Sequence, residues 1–119
     1  MRLSALRRDR LFLLDIIEAC EKVERFTHGK SFTDFANDEI LLDATIRNLQ
    51  NIGEAVRCIP EETRSLRPDI PWSRIVGLRH MLVHQYFGVD AEIVWDLASK
   101  RCPELLEAAA DMLERLSET

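Results

Sequence analysis

Residues 77–90 read GLRHMLVHQYFGVD, which sets an arginine, two histidines and the chain's only tyrosine among apolar side chains. Three kinds of chemistry fit these residue types. His80 and His84 are four residues apart, share a helix face and have the spacing of a helical metal pair. The zinc-protease form of that pair places Glu after the first histidine, where this chain has Met81, and no third ligand stands nearby. A second reading is structural, with His and Tyr satisfying the dipole and the carbonyls at a helix C-terminus. The third is acid–base work on a phosphodiester. A histidine near its solution pKa of ~6.5 accepts or donates a proton at neutral pH. A fixed arginine holds a phosphate and stabilises the charge that develops on it. Arg79 and His84 are five apart, so an unbroken helix sets them about 140° apart around its axis. They meet on one ligand only if the helix unwinds near His84 or the site is wide.

The segments that position these residues read as helices. Leu13, Ile16, Ile17, Cys20 and Val23 form a stripe at helical spacing within a first helix from about Arg7 to Thr27, closed by His28-Gly29-Lys30. "SFTDFAND" reads as a connection pinned to the core by Phe32 and Phe35. Asp38 suits the cap of a second helix to about Ile59, along which Leu42, Ile46, Leu49, Ile52 and Val56 repeat as in a bundle seam. "PEETRSLRPDIP" reads as a loop with room for one helical turn, because Pro68 and Pro71 bar a long helix. A third helix runs from Trp72 to about His84, and Gly88 breaks it. Asp90 caps the next, which carries Ile93, Val94, Trp95 and Leu97. Pro103 either opens a fifth helix or kinks a continuous one. Leu105, Leu106, Ala109, Met112, Leu113 and Leu116 supply the last stripe. The expected fold is all-α, an antiparallel bundle of four to five helices in a single domain over residues 1–119.

Composition narrows the function classes. Hydrophobic residues make up 46% of the chain, enough for a core, yet no apolar run approaches the ~20 residues that span a bilayer. The opening "MRLSALRRDRLFLLDII" is basic and then apolar. Asp15 interrupts it and no small-residue cleavage site follows, so it does not read as a signal peptide, and a cytoplasmic location is expected. Cys20, Cys58 and Cys102 are odd in number and far apart in sequence, which predicts reduced, mostly buried thiols. A formal net charge of −5 argues against a protein that binds phosphate backbones nonspecifically over its whole surface. It leaves room for a local basic site on an acidic body.

Arg79-His80-Met81-Leu82-Val83-His84-Gln85-Tyr86 resembles the R-x-x-x-x-H-x-Y signature of the HEPN superfamily, in particular its HepT-like toxins of the HepT/MntA type. The family commonly has a polar residue after the arginine, and His80 fits that position. "DATIRNLQNIGEAV" (43–56) resembles the family's second-helix block, "PDIPWSRIVGLRHMLVHQYFGVD" (68–90) its central block and "VWDLASKRCPELLE" (94–107) its tail. The three blocks stand in the family's order and spacing.

The resemblance implies a metal-independent ribonuclease without cofactors. It would be a homodimer and the toxin of a type VII toxin–antitoxin pair. The partner in such systems is a minimal nucleotidyltransferase that moves AMP from ATP onto the motif tyrosine. Carried over, Arg79 and His84 are the catalytic pair, His80 supports them, and Tyr86 is the residue modified by AMPylation. Arg47 and Glu54, about two turns apart on one side of the second helix, are candidate supporting residues or simply a charge pair of the bundle. The substrate would be RNA, with transfer and messenger RNA both open, cut by its own 2′-OH to leave a 2′,3′-cyclic phosphate. Two chains about a twofold axis would bring together the residues that one helix splays apart. The alternative is a non-catalytic helical module that binds a nucleotidyltransferase or a nucleotide, which an acidic chain of this size also suits.

Overall fold

Leu13, Ile16, Cys20 and Val23 all lie against the core, so the first apolar stripe is the inner face of a long helix, as its spacing predicts. In the computed structural model, residues 2–83 and 90–117 are described, with the side chains of residues 2, 3 and 79–83 excepted. The first helix, α1, spans Arg2–Thr27 and so begins about a turn and a half earlier than its periodicity suggests. A buried tie holds this end of the helix, just inside its expected start. Asp9 of α1 accepts a 2.6 Å hydrogen bond from the Thr63 hydroxyl, and both residues are buried, which holds the early turns of α1 on the body. Gly29, at φ 72°, takes the left-handed turn that ends α1.

"SFTDFAND" is not merely a connection. It forms a short helix α2 (Phe32–Ala36), started by the Ser31 hydroxyl accepting from the Asp34 N–H at 3.1 Å. Its Phe35 is fully buried with its ring centroid 5.1 Å from that of Trp95, and Phe32 meets the same indole edge-on at 6.3 Å. The expected cap at Asp38 is present, accepting from Leu41 N–H at 3.0 Å, and opens α3 (Glu39–Arg57). The expected single turn in the proline-rich loop is α4 (Glu61–Arg64), and α5 follows (Trp72–Val83).

Asp90 caps α6 (Ala91–Asp96), accepting from Glu92 N–H at 2.9 Å. Pro103 does not start a separate bundle helix. The chain stays helical from α6 through a π turn at Leu97–Arg101 into α7 (Cys102–Ser117). Pro103 has no N–H to give the carbonyl four residues back, and its ring crowds that carbonyl. The wider turn relieves this, with Cys102 N–H reaching five residues back to Leu97 O.

The connections fix the topology. The short stretch 28–38 returns the chain from α1 to α3, and Asp9–Thr63 sets the start of α1 beside the end of α3, so the two are antiparallel. The described residues hold helices and no strand. The core lies between α1, α3 and α7, with α5 packed chiefly on the outside of α3. Phe35→Ala should cost about 3–5 kcal/mol in urea unfolding, because it empties a closed site beneath Trp95. A loss below about 1 kcal/mol would show that α2 is not part of the core.

Candidate active site

The helix that carries Arg79 and His80 is fastened at its beginning. Trp72, its first residue, is buried and donates its indole N–H to the Arg67 carbonyl at 2.9 Å. The Arg67 guanidinium grips Asp69 through two parallel bonds of 2.9 Å and reaches Asp111 of α7 at 3.3 Å and Glu107 beside it. Arg115 closes the cluster from the far side, 3.1 Å from Asp111 and 2.9 Å from the Leu66 carbonyl. Arg67 is only 16% exposed, so this is a half-buried network and not a solvated pair. Sequence reading passed over it. The available signal was two acids at helical spacing on α7, Glu107 and Asp111, followed by Arg115, opposite an Arg-x-Asp in a proline-rich loop.

From that clasp α5 runs over α3. Ile75 and Leu78 pack toward Leu49 and Ile52, and an apolar groove of about 480 Å³ opens between α3, α5 and the π turn, with Arg74 and Arg101 among its lining. Arg79 and His80 follow, on the last turns of α5. Their backbone is helical, while their side chains lie outside the described residues. His84, Tyr86 and the expected breaker Gly88 also lie outside them, in the six-residue stretch 84–89. The chain is caught again at Asp90, and Val94 and Trp95 dock on the core just beyond. The described residues on either side of the motif segment are therefore held by aromatic side chains, the buried Trp72 before it and the half-buried Trp95, against Phe35, after it.

The proposed supporting residues fall on α3 without meeting each other. Arg47 is exposed. Glu54 is half-buried and bonds Arg57 on the next turn, which raises the arginine's pKa through that hydrogen bond. Glu54 also lines a groove of about 330 Å³ between α1 and α3. No group of three or more His, Cys, Asp or Glu placed to hold a metal occurs among the described residues. The three cysteines are free thiols, as expected. Cys20 and Cys102, far apart in sequence, are neighbours in the core. The hydrogen bond between them, together with burial, pushes the Cys20 thiol far above its ordinary range and leaves it unreactive. No described helix is long and apolar enough to cross a membrane.

The chain belongs to the HepT-like ribonuclease family, whose model, described as "Ribonuclease HepT-like", matches residues 16–112 and so takes in the whole motif segment. The chain is 39% identical over 106 residues to a candidate RNase of Caldanaerobacter subterraneus subsp. tengcongensis, covering 89% of this chain and 95% of that one. It is 42% identical over 94 residues to a protein of Thermococcus cleftensis named as a probable ribonuclease HepT, covering 79% and 86%. A candidate RNase of Methanocaldococcus jannaschii is 35% identical over 105 residues, covering 88% and 87%. No solved structure matches the chain significantly.

The Arg67 clasp has a pH signature. Hydrogen bonds from Arg67 hold the Asp69 carboxyl below its ordinary range. A carboxyl whose folded pKa lies below its unfolded value of ~3.9 adds stability in full above that value, and the contribution disappears as pH falls through the folded one. Arg67→Met should lower the melting temperature at pH 7, and the gap to wild type should narrow below about pH 4. Melting curves that stay parallel through acid would show that the ion cluster does not hold the loop.

Proposed function

We propose that this member of the family is a metal-independent RNA endonuclease and acts as a toxin in the cytoplasm. In this reading His84 moves the proton, Arg79 clamps the phosphate and His80 orients one of them. The observation that carries it is the position of the motif. Arg79 and His80 stand on the final turns of α5, a helix anchored at its start by Trp72 and Arg67, and the matched family span runs through them. RNA supplies its own nucleophile in the 2′-OH, so two side chains that move a proton and stabilise charge are enough. The site is completed by a second copy of the chain. An unbroken helix would splay Arg79 from His84, and the apolar groove beside α5 is surface that a second chain would cover.

The antitoxin in this reading is a minimal nucleotidyltransferase that places AMP on Tyr86. The added phosphate forms charge-assisted bonds with the Arg79 guanidinium that RNA requires. Tethered two residues from His84, it competes at an effective concentration of about millimolar order. Arg47 and Glu54 act in support from α3.

The test is cleavage of total RNA by the purified chain. His84→Ala should slow it about 10²–10⁴-fold, Arg79→Ala by a comparable factor, and EDTA should leave it unchanged. Full activity in His84→Ala would overturn the reading in favour of a non-catalytic module. After co-expression with the partner, wild type should gain the mass of AMP and Tyr86→Phe should not. Equal gain in both would move the modification elsewhere.

A further inference from the structure

Among the described residues, nothing covers the outer face of α1 at Leu11 and Leu14. Leu11 is 58% exposed and Leu14 47%, two large apolar side chains on a surface otherwise carrying charge. Arg7 and Arg10 lie before them on the same face, and Glu18 and Glu21 after them, all four exposed. Their order is symmetric. Arg10 and Glu18 are each four residues from Leu14, and Arg7 and Glu21 are each seven. Steps of three and four along a helix keep all five on one stripe.

A stripe that is basic on one side of an apolar centre and acidic at equal distances on the other is complementary to itself when reversed. Set two α1 helices antiparallel about a twofold axis through Leu14. Leu14 then faces its own copy, and Leu11 faces Ile17 of the second chain. Arg10 faces Glu18 of that chain, and Arg7 faces Glu21, with every contact made twice. A parallel pair would set arginine against arginine. Within the monomer these charges are little engaged. Glu18 has only a long contact of 3.5 Å with Lys22, and neither Arg7 nor Arg10 meets a carboxylate among the described residues.

We infer that the outer face of α1 is a self-association surface, in which the Arg7–Leu14–Glu21 stripes of two chains pack antiparallel. The occupant is a second copy of this chain, and the argument is charge complementarity in register. The surface lies on α1 whereas the motif stands on α5, which rests chiefly on α3. Glu18 borders the groove that Glu54 also lines, yet the pairing itself uses no motif residue and does not depend on catalysis. Two different twofold faces on one chain build an assembly larger than a dimer. The contact is one helix pair, so it is weak alone and sensitive to salt.

The experiment is sedimentation equilibrium of the full chain over a range of concentrations, with circular dichroism to confirm folding. Exposed ion pairs contribute little singly, yet a reversal acts twice across the axis and replaces attraction with repulsion. Arg10→Glu and Glu18→Arg should each weaken the association by about tenfold. An equimolar mixture of the two variants should associate as wild type does, because each restores the opposite charge to the other. The double variant Arg10→Glu/Glu18→Arg should recover it within one chain. Unchanged association in both single variants, or no recovery in the mixture and the double variant, would overturn the proposal and leave the stripe to a different partner. RNA cleavage measured on the same samples keeps this outcome separate from that of the catalytic reading.

Discussion

The guanidinium of Arg67 holds the motif helix to the rest of the molecule. α5 rests chiefly on α3, so one side of it lacks the packing that α1, α3 and α7 give one another. A helix of twelve residues in that position has little stability of its own, since isolated helices this short are marginal in water. The clasp supplies the missing constraint. It ties the loop before α5 to the middle of α7 through two carboxylates, Glu107 and Asp111, while Asp69 braces the guanidinium from within the loop and the Arg67 carbonyl receives the Trp72 indole. The direction in which α5 leaves the loop, and therefore where Arg79 and His80 arrive, follows from that fastening. The downstream end depends on a second contact of different character, the aromatic group of Phe32, Phe35 and Trp95. Between two fixed ends, six residues carry the His84 and Tyr86 positions.

Much of the architecture was legible because local rules and tertiary packing agree. The stripes on α1, α3 and α7 face the core where their spacing puts them, fully buried at their centres and half-buried at Ile17, Leu42, Ile46, Leu106, Leu113 and Leu116, and Asp38 and Asp90 cap the helices they precede. Periodicity failed where the deciding partner is remote in sequence. The early turns of α1 lie ahead of the buried stripe that begins at Leu13, and the tie that holds this end, Asp9 to Thr63, comes from a partner far along the chain. α2 is too short for a period to register, and Ser31 with one buried phenylalanine decides it. Pro103 left two outcomes open, since a missing N–H does not say whether a helix stops or widens. The answer came from the π turn just before it. The Arg67 cluster was invisible for the same reason as Asp9–Thr63, because two of its three acids, Glu107 and Asp111, come from α7. The motif is the opposite case. Arg79, His84 and Tyr86 are conspicuous in sequence because polar groups at an apolar helix end require a reason, and the family match passes through them.

Charge is distributed in a way the net value of −5 conceals. Four of the first ten residues are arginine, on a chain whose remaining surface is acidic. An acidic protein that handles RNA must place its cations where the phosphate goes, because the bulk field repels the substrate. Arg79 at the end of α5 is such a placement in the catalytic reading, and in the proposed α1 pairing Arg7 and Arg10 meet acids of a second chain. On this view assembly serves the chemistry twice. One face brings two motif helices together, and the other neutralises charge that would otherwise be free.

The central claim is that the substrate's own 2′-OH attacks the phosphorus, with His84 and Arg79 as the only catalytic groups. The most direct measurement uses a short RNA with a mapped cleavage site and the same oligonucleotide carrying a single 2′-deoxy sugar at that site. The account predicts a 2′,3′-cyclic phosphate and a 5′-OH from the first, and no cleavage at that position in the second. Cleavage that continues through the 2′-deoxy sugar would mean that water or another nucleophile attacks, and would contradict the account.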